Sequence, residues 1–253
     1  AKALAWALQV PLAGVNHVEA HLRSPWIDSP DLPYPALALV VSGGHSHLFF
    51  CESPLKARLV CATRDDAAGE ALDKLAKRLG LPYPGGPVLD RLAARGNPKA
   101  VTFSLPRMSG GSLDFSFSGI KTAALHHLRK AGLEPSVPAE PESLPQWEYD
   151  LIASYQKRVV DHLMQRVKKA ALLLRPASLT MSGGVACNSL LRSRLLALGR
   201  ELGADVGLPA PRHCTDNAAM VGFFAVTARD LAGGGPPGLD AFPTARWERA
   251  LPY

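Results

Sequence analysis

The stretch ALALVVSGGHSHLFF, residues 36–50, places two apolar runs around a Ser-Gly-Gly turn. Val, Leu and Phe suit strands and the two glycines allow a tight reversal, so the stretch predicts a β-hairpin. A second apolar run, ASLTMSGGVACNSLLR at 177–192, again leads into Ser-Gly-Gly and then into a helix. A nucleotide cleft between similar halves would use such turns, because glycine lets backbone N–H groups approach a phosphate closely.

Helical patterns separate these strands. Residues 66–80, DAAGEALDKLAKRLG, repeat apolar side chains at helical spacing, with Asp65 or Asp66 as the N-cap. A long helix is predicted over about 149–174, and Pro176 stops it. Because strands and helices alternate along the chain, the sequence predicts an α/β or mixed architecture.

The composition describes a globular chain. Its 253 residues are 47% hydrophobic, enough for one large domain or two lobes. No apolar run reaches the length of a transmembrane helix, so we expect a cytoplasmic protein without a membrane partner. The net charge of +6 is spread along the chain, which fits an RNA partner or, equally, a solvated basic surface.

The cysteines form no C-x-x-C pair and lie in or beside apolar segments. This placement favours free buried thiols in a reducing compartment over a disulfide framework. They are Cys51, Cys61, Cys187 and Cys214.

The segment NHVEAH contains His17 and His21, four positions apart. On a helix these two imidazoles share one face and can bind the same metal ion, although two ordinary polar contacts fit the spacing as well. A zinc protease would carry its general base directly after the first histidine, whereas Glu19 lies two positions after it. The pattern therefore supports a metal but not proteolysis.

A third metal ligand must come from elsewhere in the chain. Asp216 precedes an apolar helix, where a helix cap or first-turn acid is the simpler interpretation. His213 is a further possible ligand.

Other polar residues allow two interpretations each. Glu70 and Asp73 share a helix face, close enough to bind a ribose, a metal-bound water or a basic partner, or simply to be solvated. Asn188 can hydrogen-bond a ligand held over the second glycine turn. In DFSFSGIKTA, Ser118, Gly119 and Lys121 could contact an anion. Alternatively, they form a turn in which the serine starts a helix.

Six motifs, taken together and in this order, resemble the TsaD family of tRNA adenosine threonylcarbamoyltransferases. Their detailed sequences resemble the bacterial branch of that family. The resemblance covers residues 1 to about 250 and implies an actin-like, Hsp70-like ATPase fold of two α/β lobes. The motifs are NHVEAH, LVVSGGHSHL, DDAAGEALDKLAKRLGLPYPGGP, DFSFSGIKTA, SGGVACNSLLR and CTDNAAMVG.

The resemblance also implies site residues and ligands. His17, His21 and Asp216 match the family's ligands for a divalent metal, iron or zinc. Glu70 matches an acid in the same cleft, to which we assign a catalytic part. Threonylcarbamoyl adenylate, or ATP or AMP, would contact the matching residues Val40, Val41, Ser42, Gly43, Gly44, Asp73, Gly86, Asp90, Gly183, Gly184 and Asn188.

The implied reaction moves threonylcarbamoyl from its adenylate to the exocyclic amine of the adenosine 3′ of the anticodon, in tRNAs reading codons that begin with A. The implied partners are tRNA, a TsaB-like actin-fold protein, a TsaE-like ATPase and a TsaC-type synthase that supplies the adenylate. The alternatives are a non-catalytic nucleotide-binding subunit of a tRNA-modifying complex and, less favoured, a metalloprotease.

The family pattern includes an N-terminal strand and acidic turn that this sequence does not carry, so we expect the first lobe to be incomplete. Residues 1–34 are assigned to the remainder of that lobe with the metal-binding helix. Residues 35–215 are assigned to the C-terminal lobe with the glycine turns, and 216–253 to a metal-ligand loop, a closing helix and a tail.

Overall fold

The computed structural model describes residues 1–104, 112–133, 135, 143–229 and 247–251. Residues 230–246 and 252–253, inside the predicted 216–253 segment, therefore lie outside the described residues. The strands are β1 (Ala36–Val41), β2 (Ser46–Ser53), β3 (Lys56–Ala62), β4 (Ser178–Ser182) and β5 (Asp205–Gly207). The helices are α1 (Lys2–Ala7), α2 (His17–Arg23), α3 (Pro25–Asp28), α4 (Ala68–Arg78), α5 (Gly85–Ala93), α6 (Ser118–Lys130), α7 (Gln146–Leu174), α8 (Ser189–Leu202), α9 (Pro211–Cys214) and α10 (Ala218–Arg229), with a short 3-10 helix at Gly184–Cys187.

The strands form one mixed sheet in the order β3-β2-β1-β4-β5. β1 and β2 are antiparallel and meet at the pair Val41 and Ser46, so the predicted hairpin is confirmed. β2 and β3 are also antiparallel, whereas β1, β4 and β5 run parallel to one another. The predicted α/β class is confirmed by this sheet and its helices.

Helices cover both faces of the sheet. Every residue of β1 is buried, because alternate side chains enter different cores. Leu37, Leu39 and Val41 join the larger core, which α4, α5, α6, α7 and α8 complete. Ala36, Ala38 and Val40 face the smaller core formed with α2, α3 and α10.

The parallel pairing of β1 with β4 places the two Ser-Gly-Gly turns side by side. Val40 is the register partner of Ser182, so both strands end at the same edge of the sheet. Both turns therefore belong to neighbouring strands of one sheet. Gly183 has φ of +90°, and a Cβ on it would lie 2.2 Å from the carbonyl oxygen of Val41.

The helix predicted over 66–80 is confirmed as α4, but its predicted cap is wrong. Ala67 occupies the N-cap position without a side-chain hydrogen bond. Asp65 instead accepts a hydrogen bond from the backbone N–H of Phe117 at 2.8 Å, and Asp66 pairs with Lys74 at 2.7 Å. Asp65 therefore binds a distant segment and Asp66 a lysine within α4, so neither carboxylate caps the helix.

The long helix α7 begins three residues earlier than predicted and ends at Leu174, as expected before Pro176. Arg175 adopts φ of +47° at its C-cap. Within the described ranges, neither this helix nor any other combines the length and the apolar composition that a membrane span requires.

All four cysteines are free thiols, as predicted. Cys51, Cys61 and Cys214 are buried, whereas Cys187 is only half-buried. The expectation of burial therefore fails for Cys187, which ends the short 3-10 helix Gly184–Cys187.

The close approach of the two turns gives a stability prediction. Because Gly183→Ala would place a Cβ against the Val41 carbonyl at a positive φ, we expect the free energy of unfolding to fall by about 3 kcal/mol. Gly203→Ala is the control, since Gly203 also has positive φ (+66°) but open space around it, and should cost only about 1 kcal/mol. Urea denaturation measures both, and equal losses would contradict the close approach.

Candidate metal and nucleotide site

Helix α2 carries the two histidines of the predicted metal pair. Asn16 caps it, and its side-chain oxygen accepts a hydrogen bond from the Glu19 N–H at 3.1 Å. His17 and His21 lie one turn apart on the same face, with ring centroids separated by 4.8 Å in an edge-to-face arrangement. The spacing that predicted a shared face is therefore confirmed.

The packing of α10 on α2 brings Asp216 to these histidines. Ala20 of α2 contacts Met220 and Phe224 of α10 in a small apolar cluster. Asp216 precedes α10, and its Oδ1 lies 2.9 Å from Nε2 of His21 and 3.5 Å from Nε2 of His17. One ligand atom from each of the three residues lies within 4.8 Å of the other two.

Asp216 is not the cap of α10. The side-chain oxygen of Asn217 accepts a hydrogen bond from the Met220 N–H at 2.9 Å and performs that function. The Asp216 side chain is 75% exposed and faces the histidines. The simpler interpretation from the sequence, a helix-capping acid, is therefore wrong.

The donor set suits a transition metal. Two imidazoles and one carboxylate with open positions are a known arrangement for non-haem iron(II), and zinc accepts the same ligands. The His21 side chain is only 2% exposed, and burial lowers its pKa while the hydrogen bond with Asp216 acts in the opposite direction. Burial thus favours the neutral imidazole, which is the form that binds a metal.

Of two further histidines, one was a possible ligand and the other was not predicted. His213 does not join the cluster, because its Nδ1 lies 2.9 Å from an Asp28 carboxylate oxygen. His45, which the sequence reasoning missed, follows the first glycine turn, and burial together with the charge of His17 lowers its pKa. Its position directly after Ser-Gly-Gly was the available signal.

The first glycine turn, Ser42 to His45, closes the β1–β2 hairpin. The Ser42 N–H donates to the His45 carbonyl at 2.8 Å, and the His45 N–H donates to the Ser42 hydroxyl oxygen at 3.1 Å. A Cβ on Gly69 would lie 2.6 Å from the Ser42 carbonyl oxygen, so α4 packs directly against the turn. By contrast, a Cβ on Gly43 or Gly44 would meet no atom within 4 Å, which leaves space above the turn.

A cavity of about 350 Å³ lies at this edge of the sheet, between α4, α5 and the second glycine turn. Sequence reasoning named six of its lining residues: Gly43, Asp73, Gly86, Asp90, Gly184 and Asn188. It missed Tyr83, Cys187 and Thr215, whose residue types carry no distinctive pattern. Glu70 lines a neighbouring cavity of about 500 Å³, which shares Gly43, Asp73 and Tyr83 with the first.

Other predicted contacts do not line the first cavity. Val40 and Val41 are buried within the sheet. Ser42, Gly44 and Gly183 belong to the two turns but not to the cavity wall.

The acids in the first cavity also hold helix ends. Asp73 accepts a hydrogen bond from the Gly85 N–H at 2.8 Å, at the start of α5. Asp90 accepts from the Asn188 side chain at 3.0 Å and from the Ser189 N–H at 3.0 Å, at the start of α8. These bonds fix the carboxylates in place at the cavity wall, since each one joins two elements.

The remaining predicted polar residues have protein partners. Glu70 pairs with Lys74 at 2.7 Å. The Ser118 hydroxyl donates to Asp65 at 2.7 Å, and the Lys121 ammonium lies 3.3 Å from Asp66. The segment 118–121 therefore starts α6 against acidic residues, in agreement with its interpretation as a helix-starting turn.

Comparison with known proteins gives a consistent result. The model of the family described as TsaD, tRNA N6-adenosine threonylcarbamoyltransferase, matches residues 1–223. A relative of this name from Moorella thermoacetica is 44% identical over 249 residues, which cover 96% of this chain and 69% of that protein. One from Anaeromyxobacter sp. (strain Fw109-5) is 50% identical over 222 residues, covering 87% of this chain and 64% of that protein. The chain thus spans about two thirds of these relatives.

Comparison with a solved structure shows a similar fold. Full-length HypF in a phosphate- and nucleotide-bound form superposes with a TM-score of 0.63 at 12% identity, over 92% of this chain and 45% of that one. The relatives' names favour neither a metalloprotease nor a non-catalytic binding subunit. The chain belongs to the TsaD family of tRNA N6-adenosine threonylcarbamoyltransferases, and so to the transferases that modify adenosine in tRNA.

Proposed function

We propose that this chain carries the site that transfers threonylcarbamoyl from threonylcarbamoyl adenylate to the adenosine 3′ of the anticodon, in tRNAs reading codons that begin with A. One observation carries the proposal. Thr215 lines the cavity beside the glycine turns, and the next residue, Asp216, belongs to the metal cluster. A ligand in the cavity would therefore have a bound metal next to it.

His17, His21 and Asp216 would hold the metal, iron or zinc. A metal bound there supplies Lewis-acid polarisation of a carbonyl oxygen. The chain's own contribution is to fix the ligands: α2 sets the spacing of the histidines, and α10 brings the carboxylate to them. Such fixed placement lowers the cost of organising the reacting groups.

The two glycine turns would hold the adenylate part of the donor. Gly43 and Gly44 leave room for a phosphate against their backbone, and Gly183 and Gly184 form the neighbouring turn. Ser42 closes the first turn through its hydrogen bonds with His45. The buried strand end Val40–Val41 anchors this turn in the sheet.

The ribose and base would contact the side of the cavity formed by α4, α5 and the N-cap of α8. Asp73, Gly86, Asp90 and Asn188 line it, and their mutual hydrogen bonds hold the polar atoms in position. AMP is the leaving group of the transfer, so the same contacts would retain it while the acyl group departs.

Glu70 is proposed to remove the proton that the adenosine amine loses on attack. Its carboxylate lies in the neighbouring cavity, which shares Gly43 and Asp73 with the first. Lys74 pairs with it and also with Asp66, which holds the lysine between the two carboxylates. A positioned base of this kind contributes roughly 100-fold or more to a proton-transfer step.

The fold likeness supports an actin-like arrangement in which residues 35–215 form one lobe. Segments 1–34 and 216–253 would then carry the metal ligands beside that lobe. The proposed partners are tRNA, a TsaB-like protein, a TsaE-like ATPase and a TsaC-type synthase, as the family resemblance implies.

The reaction is tested by nucleoside mass analysis of unmodified tRNA after incubation with the chain, these partner proteins and the adenylate. We expect threonylcarbamoyladenosine with the native chain and about 100-fold slower formation with Glu70→Gln, because the amide cannot accept the proton. Glu201→Gln is the control, since Glu201 pairs with Lys168 on an exposed surface of α8. Equal rates for the two variants would exclude Glu70 as the base, and absence of product with the native chain would contradict the function.

The metal site is tested by metal analysis after incubation with zinc or iron(II). We expect His17→Ala to lower the metal affinity at least about 100-fold, because one of three protein ligands is lost. His17 is chosen since its side chain is 50% exposed, so the variant should fold. His213→Ala removes a histidine outside the cluster and should retain the metal; the same loss in both variants would refute the assignment.

The cavity is tested by calorimetric titration with AMP. Gly43→Val puts a branched side chain into the open space above the first turn and should weaken AMP binding at least about tenfold. Gly222→Val is the matched control, because Gly222 is equally open but lies on α10 away from the cavity. The melting temperatures of both variants show that folding is preserved. Unchanged AMP affinity in Gly43→Val would place the nucleotide elsewhere.

A further inference from the structure

Cys187 occupies an unusual position for a cysteine of this chain. It ends the 3-10 helix that follows the second glycine turn, and its side chain lines the 350 Å³ cavity. It is half-buried, whereas Cys51 and Cys61 are 0% exposed inside the two cores. Solvent and small molecules in the cavity can therefore reach this thiol.

A second thiol lies close to Cys187 in the fold. Cys214 is the last residue of α9 and is 27 positions away in the chain, but the Cys187 sulfur lies 3.9 Å from the carbonyl oxygen of Pro211, the residue that begins α9. The Cys214 sulfur also lies 3.5 Å from the Pro209 carbonyl oxygen and 3.9 Å from Nη1 of Arg192. These contacts fix the position of the buried Cys214 sulfur near Cys187, which is the cysteine that lines the cavity.

The surroundings favour the thiolate form of Cys187. The neighbouring Cys214 lowers the pKa of Cys187, and the charge of Arg192 acts in the same direction. Burial and the charge of Asp90 oppose this shift. Since the thiolate is the nucleophile in thiol oxidation, Cys187 is the cysteine prepared to react first.

We propose that Cys187 and Cys214 form an oxidisable dithiol in the cavity wall, which a peroxide converts into an intramolecular disulfide. The Cys187 thiolate attacks one peroxide oxygen, the O–O bond breaks, and the departing oxygen takes up a proton; Cys187 becomes a sulfenic acid. The Cys214 sulfur then attacks the Cys187 sulfur, the S–O bond breaks, and water leaves with the Cys214 proton. The two thiols lose two electrons, and the peroxide gains them.

The disulfide would alter the cavity. An S–S bond is about 2.05 Å long, which is shorter than any non-bonded contact between two sulfur atoms, so the two segments must approach each other. One segment leads directly into Asn188, and the other into Thr215, both of which line the cavity. We therefore expect oxidation to weaken nucleotide binding at least about threefold, a consequence that rests on the proposed function.

The test exposes the native chain to hydrogen peroxide at neutral pH and follows it by peptide mass analysis. We expect a peptide pair cross-linked through Cys187 and Cys214, with the loss of two hydrogens. Its formation should be roughly tenfold faster than oxidation of Cys51 or Cys61, because of the larger thiolate fraction. Cys214→Ser should stop the reaction at a Cys187 sulfenic acid that dimedone traps, and Cys187→Ser should remove both products.

Each of three results would overturn the proposal: no cross-link between the two peptides, a cross-link only between separate chains, or, in Cys214→Ser, dimedone labelling of Cys187 no faster than that of Cys51. Cys61→Ala serves as the control, since it removes a thiol from the core without touching the pair, and it should leave the cross-link unchanged. Thermal unfolding shows whether Cys61→Ala is folded. If it is not, the oxidation rates of the cysteines in the native chain still test whether Cys187 and Cys214 react faster than the core thiols.

AMP titration before and after oxidation, with a thiol reductant to reverse the reaction, tests the effect on binding. Weaker AMP binding that the reductant restores supports the coupling, and unchanged binding in the cross-linked chain contradicts it. If the reduced chain does not bind AMP at all, the proposed nucleotide site fails, while the mass analysis still decides whether the dithiol is oxidisable.

Discussion

The parallel pairing of β1 with β4 is the constraint on which the rest of the site depends. It aligns Val40 with Ser182, so that both strands end at one edge and both Ser-Gly-Gly turns emerge there. The absence of a side chain at Gly183 permits the contact with the Val41 carbonyl, and the absence of one at Gly69 lets α4 reach the Ser42 carbonyl. The cavity lies above the two turns, where the backbone of Gly43 and Gly184 carries no side chain to fill the space.

Acidic side chains then connect this edge to the helices around it. Asp73 binds the first turn of α5, Asp90 binds the first turn of α8, and Asp65 binds the start of α6. A carboxylate next to a helix N-terminus is stabilised by the unpaired N–H groups and the helix dipole. The same side chains that would contact a ligand therefore also hold the wall in shape, so their substitution affects both folding and binding.

The metal cluster depends on a different contact, the packing of α10 on α2. Ala20 allows the close approach because it is small, and Met220 and Phe224 bury their side chains against it. The result places a carboxylate from one end of the chain next to two imidazoles from the other. Burial of His21 keeps the imidazole available as a metal ligand, because the neutral form is favoured away from water.

The sequence by itself determined the local elements: the hairpin after residue 36, the helix α4, the end of α7 before Pro176 and the shared face of His17 and His21. Short-range steric and periodic preferences decide such features. Its motifs also identified the family. The reaction follows from that family membership, since none of the individual motifs indicates it alone.

The tertiary structure decided which distant residues meet. Asp65 and Asp66 are good helix caps by type, yet the fold brings Phe117 and Lys121 to them from a distant part of the chain. Asp216 is a plausible cap that instead faces two histidines, and Cys187 meets Cys214 through the packing of α9 against the glycine turn. Long-range packing decides which partner each of these side chains binds, because a polar group binds the partner that the fold brings to it. The spacing of residues in the sequence does not show which distant residues will lie close together.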